Sequence, residues 1–71
     1  MDKSIYSKEY KEFLKKIKKA RQEVGLTQKE VADKLKKPQS YISKIESGER
    51  RVDVAELKRF VKIYKKDISY F

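Results

Sequence analysis

Thr27-Gln28-Lys29-Glu30-Val31-Ala32-Asp33-Lys34-Leu35-Lys36-Lys37-Pro38-Gln39-Ser40-Tyr41-Ile42-Ser43-Lys44-Ile45-Glu46 is the stretch on which the fold turns. Thr27 and Glu30 have the spacing of a capping box, a hydroxyl cap with a carboxylate three residues on. Leu26 stands just before it as a staple residue against Val31. Val31, Ala32 and Leu35 give a short apolar face, and the helix is predicted to end near Lys36. A helix this short is unstable alone in water and must be held by its neighbours. Pro38 suits the first turn of the next helix, where its missing N–H costs nothing. Ile42 and Ile45 point inward at a three-residue step with Tyr41 at the edge, and Ser47-Gly48 stops the helix. About three residues are left for the link, which forces the two helices into a sharp crossing, the helix-turn-helix arrangement.

Upstream, Tyr10, Phe13, Leu14, Ile17, Ala20 and Val24 fall at steps of three and four, so residues 8–24 read as an amphipathic helix. Ser7 is placed to cap it, and Gly25 to end it in the left-handed conformation. Residues 1–7 are expected to form a loose arm. Downstream, Asp53 and Glu56 form a second capping box. Val54, Leu57, Phe60, Val61 and Tyr64 make the stripe of that helix, with Ile63 on a flank. Lys65-Lys66 suits its C-terminal end, where positive charge meets the helix dipole. Asp67 is placed to start a last turn carrying Ile68, Tyr70 and Phe71. No strand pattern, repeat or low-complexity linker occurs. The expected fold is all-α: a single domain over 1–71, a compact bundle of five short helices with the helix-turn-helix at 27–46 in its centre.

Composition narrows the chemistry. The 71 residues include no cysteine and no histidine, which excludes a disulfide framework, a thiol nucleophile, a histidine base and the usual zinc site. The carboxylates sit at caps and on solvated faces, with no clustered pair and no metal spacing, so neither an enzyme nor a cofactor is expected. No apolar run approaches the roughly 18 residues of a membrane span, and the N-terminal residues lack the apolar core of a signal peptide. A cytoplasmic protein is the expectation. The net charge is +9, spread through the chain without a basic tail. Carried on a folded surface, such charge attracts nucleic acid or anionic lipid. The lipid reading is disfavoured because tryptophan is absent and acidic residues interrupt the basic face of the first helix.

The outer face of the helix after Pro38 carries Gln39, Ser40, Ser43 and Lys44. A helix fits the major groove of B-form DNA, and these side chains can bond base edges: Gln to adenine, Lys to guanine, Ser to either. Gln28 lies in the first turn of the preceding helix, where unpaired N–H groups and the dipole favour a phosphate, with Lys29 adding charge. Lys37, Arg50 and Arg51 flank the outer helix as further phosphate ligands. Arg21 and Glu46 each lie just beyond an apolar stripe, and they are expected to pair if the first helix packs on the third.

Ile17 with Arg21, the run Val24 to Ala32, Leu35, and the run Gln39 to Arg50 together resemble the lambda-repressor and Cro class of helix-turn-helix domains, the Xre-like family. With the following helix the likeness covers about 60 of the 71 residues. The resemblance implies a phosphate contact at Gln28, base-reading positions at Gln39, Ser40, Ser43 and Lys44, and a structural ion pair of Arg21 with Glu46. Lys36 stands where the pattern has the turn glycine, Lys37 where an apolar residue follows, and Pro38 where a hydroxyl cap is usual. A positive φ at Lys36 would cost about 1 kcal/mol relative to glycine.

The expected function is a small transcriptional regulator, a repressor that binds double-stranded DNA sequence-specifically as a homodimer on a two-fold operator. Paired recognition helices would then lie one helical turn apart, roughly 34 Å. Tyr64, Ile68, Tyr70 and Phe71 at 64–71 form the candidate dimer surface, since a single small module buries little DNA surface. The alternative is an antitoxin-like protein that uses those aromatics to hold a toxin partner while it binds operator DNA.

Overall fold

The computed structural model describes residues 7–71. Among them α1 (Lys8–Glu23), α2 (Gln28–Leu35), α3 (Gln39–Ser47) and α4 (Val54–Tyr64) follow in order, and a 3-10 turn (Ile68–Tyr70) comes last. The described residues contain no strand, and the architecture is the all-α helix-turn-helix bundle. The fifth helix is a single 3-10 turn. The expected arm at 1–7 falls outside the described residues except for Ser7, whose side chain caps α1 by accepting from the Tyr10 N–H at 3.1 Å.

Local chemistry sets the helix ends. Thr27 and Asp53 each cap a helix through a complete capping box, with Glu30 and Glu56 returning the bond to the cap amide. Pro38 is the residue before α3 and not part of its first turn. Its ψ of 155° is extended, and it contributes no side-chain cap. Helix α2 stops because Lys36 turns left-handed at φ 57°, which lets the Lys37 N–H reach the Ala32 carbonyl at 2.9 Å. Lys65 ends α4 the same way, at φ 56°. Gly48 ends α3 at φ 89°, and a Cβ there would lie 3.2 Å from Leu14 Cδ1. That close approach and the positive φ both call for glycine.

The buried centre takes Leu14, Ile17 and Ala20 from α1, Val31 and Ala32 from α2, Ile42 and Ile45 from α3, and Phe60 and Tyr64 from α4. Each buried isoleucine contributes roughly 1.5–3 kcal/mol. Helix α3 packs on both α2 and α1, and α4 packs on α1. Small Ala32 lies in this packing. Phe60 and Tyr64 stack at 5.5 Å between ring centroids. Val54, expected on the buried stripe of α4, is instead 67% exposed. As the first residue of the helix it precedes the point where the stripe meets the bundle.

Candidate nucleic-acid interface

Helix α3 divides cleanly. Ile42 and Ile45 are buried, while Gln39, Ser40, Ser43 and Lys44 are all exposed. The C-terminal end of α3 is tied down through Lys44, whose carbonyl accepts from the Arg50 N–H at 3.1 Å and from the Ser47 hydroxyl at 3.1 Å.

Beneath that end lies a polar cluster. Arg21 donates from Nε to Glu46 Oε2 at 2.7 Å, from Nη2 to Oε1 at 3.1 Å, and from Nη1 to the Leu26 carbonyl at 2.9 Å. The two side chains are 11% and 5% exposed. The hydrogen bonds to Glu46 hold the Arg21 guanidinium above its ordinary pKa, against the opposing effect of burial. Gln28 joins the cluster by donating from Nε2 to Glu46 Oε1 at 3.0 Å. The amide expected at a phosphate therefore spends one N–H inside the protein, and its second N–H lies outside that bond. The Tyr64 hydroxyl is buried without a hydrogen-bond partner. Burial raises its pKa well above the phenol range, and the nearby Glu46 charge adds to this while Arg21 offsets part of it.

A second cluster holds the other end of α3. Glu56 Oε1 accepts the Asp53 N–H at 3.0 Å, as a capping residue should. Its Oε2 accepts from both the Tyr41 hydroxyl and Arg50 Nη2, the latter at 3.1 Å. Burial pushes Glu56 up, but the bonds from Tyr41, Asp53 and Arg50 outweigh it and the carboxyl sits below its ordinary value. Burial and the Glu56 bond raise the Tyr41 phenol to about 12. The Arg50 guanidinium lies 4.9 Å from the centre of the Tyr41 ring, and the Lys37 ammonium lies 5.4 Å from it. One ring thus gathers cations from the turn before α3 and the loop after it.

The remaining expected phosphate ligands are spread around this frame. Lys29 is exposed and makes a loose 3.7 Å pair with Asp33. Arg51 stacks on Tyr10, 5.7 Å from the ring centre, and the Tyr10 hydroxyl accepts the Val52 N–H at 3.3 Å. The loop carrying Arg50 and Arg51 is therefore fastened to α1 as well as to α3 and α4. Sequence reasoning missed the role of Glu56. The available signal was that a capping glutamate uses one oxygen and leaves the other for a partner, with Arg50 close by in the chain.

The expected dimer surface separates. Tyr64 belongs to the core and offers no surface, because its ring is sealed against Phe60. Phe71 is half-buried, edge-on to Phe13 at 5.9 Å and to Tyr70 at 5.0 Å. Tyr70 carries the Lys66 ammonium 4.7 Å from its ring centre, and Lys66 also bonds Glu23 at 2.7 Å. Ile68 remains 49% exposed.

Among the described residues no group of histidine, cysteine, aspartate or glutamate is arranged to hold a metal ion, and no helix is long and apolar enough to cross a membrane. A family model described as helix-turn-helix (HTH_3) matches residues 17–71. No curated protein and no solved structure matches the chain significantly.

Proposed function

Because the chain belongs to the helix-turn-helix family, whose domains are DNA-binding regulators and not enzymes, we propose that it is a sequence-specific repressor that inserts α3 into the major groove and acts as a dimer on a two-fold operator. One observation carries the reading: all four polar side chains on the outer face of α3 are exposed, while its two isoleucines are fully buried. Gln39, Ser40, Ser43 and Lys44 read base edges, and Lys29, Lys37 and Arg51 with the second N–H of Gln28 contact phosphates. The exposed Ile68 with the outer parts of Tyr70 and Phe71 supports a second copy. DNA as the ligand accompanies a cytoplasmic site of action.

The test is selection of bound duplexes from a random pool, with the purified chain as bait. The expected winners share an inverted repeat whose half-sites are centred about one helical turn apart. Gln39→Ala and Lys44→Ala should each flatten the preference at particular positions of a half-site. Recovery of no consensus, or a consensus unchanged by both substitutions, refutes base reading by α3.

A further inference from the structure

We propose that Glu56 is a positioning residue for DNA binding: with Tyr41 it holds the Arg50 guanidinium in place beside the recognition helix, ready for a DNA phosphate. The inference rests on the DNA-binding reading above. Arg50 is half-exposed while the Glu56 carboxylate is 10% exposed, so the pair has a buried anchor and an open cation. Nη2 bonds Glu56 and the guanidinium lies over the Tyr41 ring. A guanidinium has five N–H donors, and one bond to Glu56 leaves donors on the remaining edges for a phosphate. The position is fixed from three sides. Tyr41 stands in the first turn of α3, Glu56 in the first turn of α4, and the Arg50 N–H bonds back to the Lys44 carbonyl. An arginine already held this way loses less conformational freedom when it meets its phosphate than one swinging on a loop.

The sign of the effect separates this from ordinary electrostatics. Removing a negative charge from a DNA-binding surface should tighten binding, because the field seen by the phosphates becomes more positive. Positioning demands the reverse: neutralising Glu56 weakens binding, because Arg50 is released.

The experiment measures the affinity of the full chain for mixed-sequence duplex DNA across a salt series, for wild type, Glu56→Gln, Tyr41→Phe, Arg50→Ala and the Glu56→Gln/Arg50→Ala double variant. Glu56→Gln keeps an oxygen for the Asp53 amide, and Tyr41→Phe keeps the ring, so helicity by circular dichroism should stay near wild type. Glu56→Gln is expected to weaken binding roughly two- to tenfold. Tyr41→Phe should weaken it by less. Arg50→Ala should reduce the salt slope by about 1. In the Arg50→Ala background Glu56→Gln should cost nothing further. If Glu56→Gln binds as well as wild type or better, or if it weakens binding equally with and without Arg50, the positioning role is overturned while DNA binding stands. If wild type fails to bind duplex DNA even at low salt, the DNA-binding reading fails with it.

Discussion

Replacing Glu46 by alanine should be among the most damaging single changes in the chain. The carboxylate receives two bonds from Arg21 and one from Gln28, and its side chain is 5% exposed. Without it, the Arg21 guanidinium keeps the Leu26 carbonyl alone, in a site that water barely reaches. Breaking a buried pair by removing one partner costs about 3–5 kcal/mol, most of it the stranded charge. A chain of this length has a total stability of only roughly 4–10 kcal/mol. The substitution therefore removes a large share of it and should lower the melting temperature by on the order of 20 °C. Urea and thermal unfolding followed by circular dichroism measure both numbers. The double change Arg21→Met/Glu46→Leu strands no charge and should recover most of the loss. A Glu46→Ala loss below about 1 kcal/mol, as for an exposed pair, would refute the buried-pair argument. A double variant no better than Glu46→Ala alone would refute the attribution to a stranded cation.

Three further outcomes are expected. Tyr64→Phe removes a buried hydroxyl without a partner, so the urea midpoint should stay level or rise; a loss above about 1 kcal/mol would show that the hydroxyl is satisfied. Lys36→Gly and Lys65→Gly relieve positive φ values of 57° and 56°; each should add up to about 1 kcal/mol, and a fall in melting temperature for both would argue against left-handed caps at these sites. Stability should decline at alkaline pH. Tyr41 titrates at about 12 in the folded chain against about 10 unfolded. Its contribution is thus whole below pH ~10 and is lost as pH climbs towards 12. Tyr64 is raised as well and acts in the same direction, so Tyr41→Phe/Tyr64→Phe should flatten the alkaline limb of a pH–stability curve.

What the sequence disclosed was mostly local. Thr27 with Glu30 and Asp53 with Glu56 are read directly, because a capping box closes within four residues. The α3 stop at Gly48 and the left-handed Lys36 are legible for the same reason. The misplacements came from the third dimension. Periodicity put Val54 on the α4 stripe, but periodicity does not say how far along the helix the bundle extends, and Val54 lies beyond it. Tyr64 stands both on the α4 stripe and in the expected dimer surface, and spacing alone does not choose between them. The core accommodates it by stacking it on Phe60, one turn earlier in α4. Gln28 and Glu46 are 18 residues apart and Tyr41 and Glu56 are 15 apart. Partners at such separations meet only after the helices have packed, so no spacing rule in the chain could show those bonds.

The two polar clusters have a common mechanical sense. A helix that reads DNA, as proposed for α3, must leave its working face to the ligand, so it can be anchored only from its inner face and its ends. At about 100° per residue, Tyr41, Ile45, Ile42 and Glu46 cover an inner arc of roughly 140°, with the isoleucines between the two polar residues. Gln39, Ser43, Ser40 and Lys44 occupy the opposite arc. The two isoleucines alone would hold α3 against the bundle by non-directional contact, which resists separation far better than it resists a small roll about the helix axis. Hydrogen bonds are directional. Glu46 is bonded to α1 and α2 on one margin of the arc, and Tyr41 is bonded to α4 on the other. A roll in either direction would stretch one set of bonds. Under the proposed docking of α3 in the major groove, where base edges are told apart by donors and acceptors a few ångströms apart, fixing that roll would fix which of its side chains face the bases.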